Sequence, residues 1–177
     1  MSGRSMRTTL ALAAALLVSV ALALPANANS GSRPFNGSVS GAVVYTPVSA
    51  DACPAGGGNY GLLATVGSAS GTVSHLGRTH MTAVHCTPSG DTFGPGTMTM
   101  ASASGDKVFV EYTGSAPFPG PGTTVIVVHI DFHIVGGTGR FTGATGGGEM
   151  TAYITFEGFT NPVWPARWVW NGQIIGY

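Results

Sequence analysis

From residue 107 to 112 the chain reads Lys-Val-Phe-Val-Glu-Tyr, so Val108, Val110 and Tyr112 fall on one side of an extended backbone and Lys107, Phe109 and Glu111 on the other. The same period of two returns at Val39, Gly41, Val43 and Tyr45, and again at Met150, Ala152, Ile154 and Phe156. Successive side chains of a strand point to opposite faces, so a sheet is what turns this pattern into a single buried face. Residue choice agrees. Beyond residue 28 there are 15 valines and three leucines, a ratio that suits a pleated surface and disfavours helix. No helical period is sustained after that point.

Glycine cuts the pattern into short pieces: 27 of the 28 glycines lie beyond residue 28. The first strand is expected from residue 38, and 47–60 form a loop. Segments 61–68 and 70–76 read as a hairpin turning near Ser68–Ser70. Further strands are expected at 79–86, at 97–102 after Gly94-Pro95-Gly96, and at 107–113, 123–135, 149–157 and 166–177. Eight or nine short strands with turn signals between them mark a sandwich or barrel. The expected fold class is all-β, an antiparallel barrel of about eight strands over residues 38–177, because closure leaves no valine-rich edge unpaired.

Residues 1–28 have the three parts of a secretory signal. Arg4 and Arg7 give a positive start, Leu10 to Leu24 is almost wholly apolar, and Ala26-Asn27-Ala28 is a small-x-small cleavage site. The apolar run is shorter than the ~20 residues of a spanning helix. The expected product is a secreted, extracellular chain of 149 residues with no membrane span, beginning in a loose lead-in over 29–37. Its charge is low: Arg33, Arg78, Lys107, Arg140 and Arg167 stand against seven acidic residues. No basic stripe is available for a phosphate backbone, so nucleic acid is not an expected partner. A transmembrane barrel is disfavoured by the last strand, whose lipid face would have to carry Asn171 and Gln173 beside Ile175. Two cysteines in an exported chain, Cys53 and Cys86, are expected to form a disulfide.

His129, Asp131 and His133 sit two apart on the longest strand and project from one face; Ile126, Val128, Ile130, Phe132 and Ile134 project from the other. Two arrangements follow. Where the aliphatic face fills the barrel, the polar row is outside and solvated. Where it packs on a partner subunit, the row lines the cavity. There the three residues could orient a ligand, act as acid and base, or supply two imidazoles and a carboxylate to a metal. They are the candidate ligand-binding residues. A metal would need a third strong ligand from elsewhere, for which His75, His80 and His85 are the candidates, and no metal or cofactor is expected. His80 and His85 differ by five and should face opposite ways. Trp164, in a loop between Pro162 and Pro165, and Trp168 and Trp170, on one face of the last strand, read as packing residues rather than a carbohydrate platform.

The stretch Gly136-Gly137-Thr138-Gly139-Arg140-Phe141-Thr142-Gly143-Ala144-Thr145-Gly146 resembles the Gly-Gly-Thr-Gly-x-Phe…Ala-x-Gly turn of dirigent and allene oxide cyclase barrels and of their secreted bacterial relatives. The resemblance is dense over about 13 residues, from Ile134 to Gly146, and elsewhere extends only to the strand pattern. It implies an eight-stranded antiparallel barrel around an apolar cavity, often assembled as a homo-oligomer, and hence a small, largely apolar ligand. A dirigent- or cyclase-like enzyme, with the His129 row at the cavity wall, is the second expectation. The third is a filled structural barrel that binds nothing. Within the motif, Gly136, Gly137 and Gly139 are expected to allow a tight reversal, and Gly143, Ala144 and Gly146 to leave room for Phe141 as an inward plug. Arg140 is expected at the exposed turn.

Overall fold

The structure, a computed structural model, describes residues 31–48, 62–87 and 92–177. The expected signal segment and Cys53 lie outside them. The described residues form eight antiparallel strands and no α-helix: β1 (Arg33–Pro47), β2 (Leu62–Val73), β3 (Gly77–Cys86), β4 (Thr92–Ser102), β5 (Lys107–Ser115), β6 (Val125–Gly137), β7 (Thr145–Thr155) and β8 (Val163–Ile175). Each strand pairs with the next, and β8 returns to β1 through a register running from Arg33↔Ile174 to Val44↔Val163. The barrel is therefore closed, as the valine-rich pattern requires.

Several boundaries differ from the sequence expectation. Residues 33–37 are not lead-in but the start of β1, held against β8. Residues 62–73 are one strand, not a hairpin. Gly67 and Ser68 form an irregularity between the Val66↔Ala83 and Ala69↔Met81 pairs, and the reversal comes at His75 and Gly77, whose φ values are +66° and +68°. The small residues that imitate a turn are there because β1 and β2 approach closely. A Cβ on Gly71 would overlap the Ser38 carbonyl, and one on Gly41 would overlap Ala69. Finally, β4 starts at Thr92 and β8 at Val163, so Gly94-Pro95-Gly96 and Trp164 belong to strands rather than to loops.

The closed end of the barrel is packed solid. Phe132 on β6 faces a lane of glycines: it pairs with Gly148 on β7, which pairs with Gly172 on β8, which pairs with Phe35 on β1. A Cβ on Gly172 would strike the Phe132 ring, so the side chain absent there is space the ring occupies, whereas a Cβ on Gly148 would strike the backbone of β8. Phe35 and Phe132 meet at 6.1 Å between ring centroids, and Trp170 is edge-on to Phe132 at 4.9 Å. All three are buried.

The glycine-rich reversal seals this end. Gly139–Phe141 form a single 3-10 turn, with the Phe141 amide donating to the Thr138 carbonyl at 3.1 Å. Phe141 is fully buried and packs at 5.3 Å from the Tyr177 ring, so it is the inward plug the motif suggested. The room for it comes from Gly137, where a Cβ would strike Phe141. Gly143, by contrast, has open space beside it and holds φ +79°, so backbone conformation explains it better than packing does. Arg140 lies half-exposed over Phe141 and donates from Nη2 to the His75 carbonyl at 2.7 Å, with Asp106 3.5 Å from its Nε.

The outer wall is polar at mid-height. His129, Asp131 and His133 are exposed there, as are Glu149 and Asn171 on the neighbouring strands. Hydrocarbon around this belt would have to desolvate charges and amides. No helix among the described residues is long and apolar enough to cross a membrane.

Candidate functional site

At the other end the barrel is hollow. On β6 the inward residues Ile126, Val128 and Ile130 line a cavity, and Phe132, the next one inward, lies beyond it; on β8 Trp164 and Trp168 line it, and Trp170 lies beyond. The volume is about 650 Å³, within the ordinary range for small-molecule sites. The mouth lies where β5 passes into β6 and β7 into β8. Phe118 and Phe159, 66 % and 67 % exposed, stack across these two loops at 5.5 Å. From Phe159 a line of rings runs inward through Phe156 to Trp164, which rests against Tyr45 at 4.6 Å. The Trp164 indole N–H donates to the Asn161 carbonyl at 2.7 Å, tying the β7–β8 loop to the wall.

One polar pair stands in this apolar lining. The Nδ1 of His85 on β3 lies 2.9 Å from the hydroxyl of Tyr112 on β5, across the intervening β4. The pair can meet because the inward position of β4 between them is Gly96, which pairs with Tyr112; a Cβ there would overlap the Tyr112 ring. The same device is repeated beside it: Phe93 pairs with Gly114, covers it, and stacks on the His85 imidazole at 4.4 Å. His85 is thus fixed between a ring face and a hydroxyl.

Burial sets the chemistry of the pair. It lowers the His85 pKa to about 4, so the imidazole is neutral near pH 7. It pushes the Tyr112 phenol upward and that of Tyr45 to about 12. With Nδ1 engaged by Tyr112, Nε2 takes the complementary role of donor or acceptor. It has no hydrogen-bond partner among the described residues and is not one of the sealed, unpaired atoms, which are Trp170 Nε1 and the Tyr177 hydroxyl. Replacing Gly96 by alanine should displace the Tyr112 ring and break this contact. The expected result is a loss of about 1–3 kcal/mol in urea unfolding, with a shift of the His85 ring resonances in an imidazole NMR spectrum.

The sequence candidates divide. His129, Asp131 and His133 do not line the cavity: the aliphatic face of β6 fills the barrel, and the three side chains are exposed on its outer wall. Their cross-strand neighbours are Ser115 and Thr151, Thr113 and Glu149, and Glu111 and Gly147 respectively. His80 also faces outward, whereas His85 faces inward, opposite to it as the spacing of five requires. His75 lies at the closed end, with Nε2 2.9 Å from the Pro34 carbonyl. The histidines therefore do not converge, and no group of three His, Cys, Asp or Glu among the described residues could hold a metal ion. Trp164, Trp168 and Trp170 are all buried. Cys86 is buried at the end of β3 and is not a free thiol; its expected partner Cys53 lies outside the described residues.

Sequence reasoning offered His85 only as a third metal ligand and Tyr112 only as an inward strand residue, and did not pair the two. The available signal was parity. His85 is in phase with the inward Met81 and Ala83, and Tyr112 with Val108 and Val110. Only the pairing of β3, β4 and β5 brings them together over a glycine. Comparison of the chain with protein-family models, with curated proteins and with solved structures finds no match.

Proposed function

We propose that this chain is a secreted barrel that holds a small, largely apolar molecule in its open half. The observation that carries the reading is the 650 Å³ cavity lined by aliphatic and aromatic side chains. A barrel with no ligand to hold gains nothing by leaving such a volume unfilled, since voids cost packing energy. The closed end of this same barrel is packed with Phe35, Phe132 and Trp170. The likeness of residues 134–146 to the turn of dirigent and allene oxide cyclase barrels supports the same reading. Catalysis at His129, Asp131 and His133 fits less well, because a cavity substrate would be separated from them by the wall. A filled structural barrel fits poorly with the cavity itself.

Export and a Cys53–Cys86 bridge belong to this proposal. They are tested together with the ligand by native mass spectrometry of the protein recovered from the medium of its own host. The expected spectrum shows a chain beginning after Ala28, two mass units short of the reduced form, carrying a releasable small molecule. It also counts the subunits. A barrel that is intact but empty from every growth condition would refute the ligand.

A further inference from the structure

Resting on the reading of the cavity as a ligand site, we infer that its occupant is an uncharged molecule, an apolar body with a hydroxyl or carbonyl group directed at His85 Nε2. The described lining contains no aspartate, glutamate, lysine or arginine. Most of its polar groups are already engaged. The Thr87 hydroxyl donates to the Leu62 carbonyl at 3.0 Å, the Tyr112 hydroxyl is held by His85, and the Trp164 N–H is taken by Asn161. Thr160 and Asn161 lie at the exposed rim. Deeper in, His85 Nε2 and the Tyr45 hydroxyl remain for a ligand, and both belong to neutral groups.

A carboxylate or ammonium entering this space would lose its water and meet no counter-charge among the described lining residues. That penalty amounts to several kcal/mol in protein interiors, and the ligand avoids it only by binding in its neutral form. A hydroxyl or carbonyl instead exchanges one hydrogen bond to water for one to Nε2. The imidazole can serve either partner: with the proton on Nε2 it donates to a carbonyl, and with the proton on Nδ1 it accepts from a hydroxyl. The Phe93 ring stacked on His85 holds the imidazole plane in place for both. The site therefore discriminates by charge more sharply than by shape.

The test uses the mature protein with Nile red, an uncharged dye, displaced by decanol, decanoic acid and decylamine at pH 7.5 and pH 5.5. Decanol should displace the dye at both pH values. Decanoic acid should be at least ~100-fold weaker at pH 7.5 and should recover about tenfold per pH unit on acidification, as the fraction of neutral acid rises. Decylamine should be at least as weak and should not recover. His85→Phe should weaken decanol about tenfold, the worth of one hydrogen bond at the upper end of its usual range. Tyr112→Phe, which leaves the imidazole unanchored, should weaken it severalfold and serves where His85→Phe does not fold. Failure of Nile red to bind would overturn the cavity reading itself. Dye that binds but is displaced by the acid or the amine within threefold of decanol at pH 7.5 would overturn only the charge inference. Decanol binding unchanged in both variants would overturn the role of His85.

Discussion

Phe132→Ala should unfold about 10 °C below the parent chain, the largest loss expected from any single truncation in the barrel. Phe132 is fully buried, contacts Phe35 and Trp170, and lies over the glycine lane of β7 and β8. Removing the ring opens a void that its surroundings cannot close. Gly148 and Gly172 have no side chains to move in, and both partner rings are fixed by their own strands. Phe→Ala changes in such places cost about 3–5 kcal/mol, and each kcal/mol moves the midpoint of a domain this size by about 2–4 °C. Ile154→Ala is the control. Ile154 lines the hollow half, so one side of its side chain already lacks protein neighbours and fewer contacts are lost. A loss of about 1–2 kcal/mol is expected there. Equal losses at the two positions in thermal melts would mean that the barrel is not divided into a packed half and a hollow one.

This division was not legible in the sequence, although most of the barrel was. Alternation separated the two faces of β5, β6 and β7 residue by residue, but on β6 it left open which face points inward, and only the closed barrel settles that. The plug at Phe141 was visible for a different reason: its glycines stand in a dense local motif. What one strand cannot reveal is what stands opposite it. Gly96 and Gly114 look like turn residues until β4 and β5 are paired, and only then do they become the spaces filled by Tyr112 and Phe93. The His129 row was the conspicuous polar feature because three polar residues share one face. The same alternation that makes the row conspicuous puts it on the outer wall once the opposite face fills the barrel. The His85–Tyr112 pair is split between β3 and β5, 27 residues apart, and each member lies on an otherwise apolar face.

The embedding of His85 predicts a pH dependence that exposed histidines would not produce. In the unfolded chain its imidazole titrates near the ordinary 6.5, whereas in the barrel burial holds it to about 4. Between those values the unfolded state binds the extra proton, so stability falls as the pH falls. The contribution is fully present above pH 6.5, begins to fade below it, and is gone near pH 4. The difference between the two states corresponds to about 3 kcal/mol in all, of which about 2 kcal/mol should be lost by pH 5. Urea midpoints at pH 7.5, 6 and 5 for the parent chain and for His85→Phe would isolate this group, because every other titrating side chain is common to both. The parent should lose stability across the window, and the variant should lose about 2 kcal/mol less by pH 5. Phenylalanine also keeps a ring against Phe93, so packing is disturbed little while the proton site is removed. Parallel curves for the two proteins would mean that water reaches the imidazole, and a wet imidazole could not impose the charge selection inferred for the cavity.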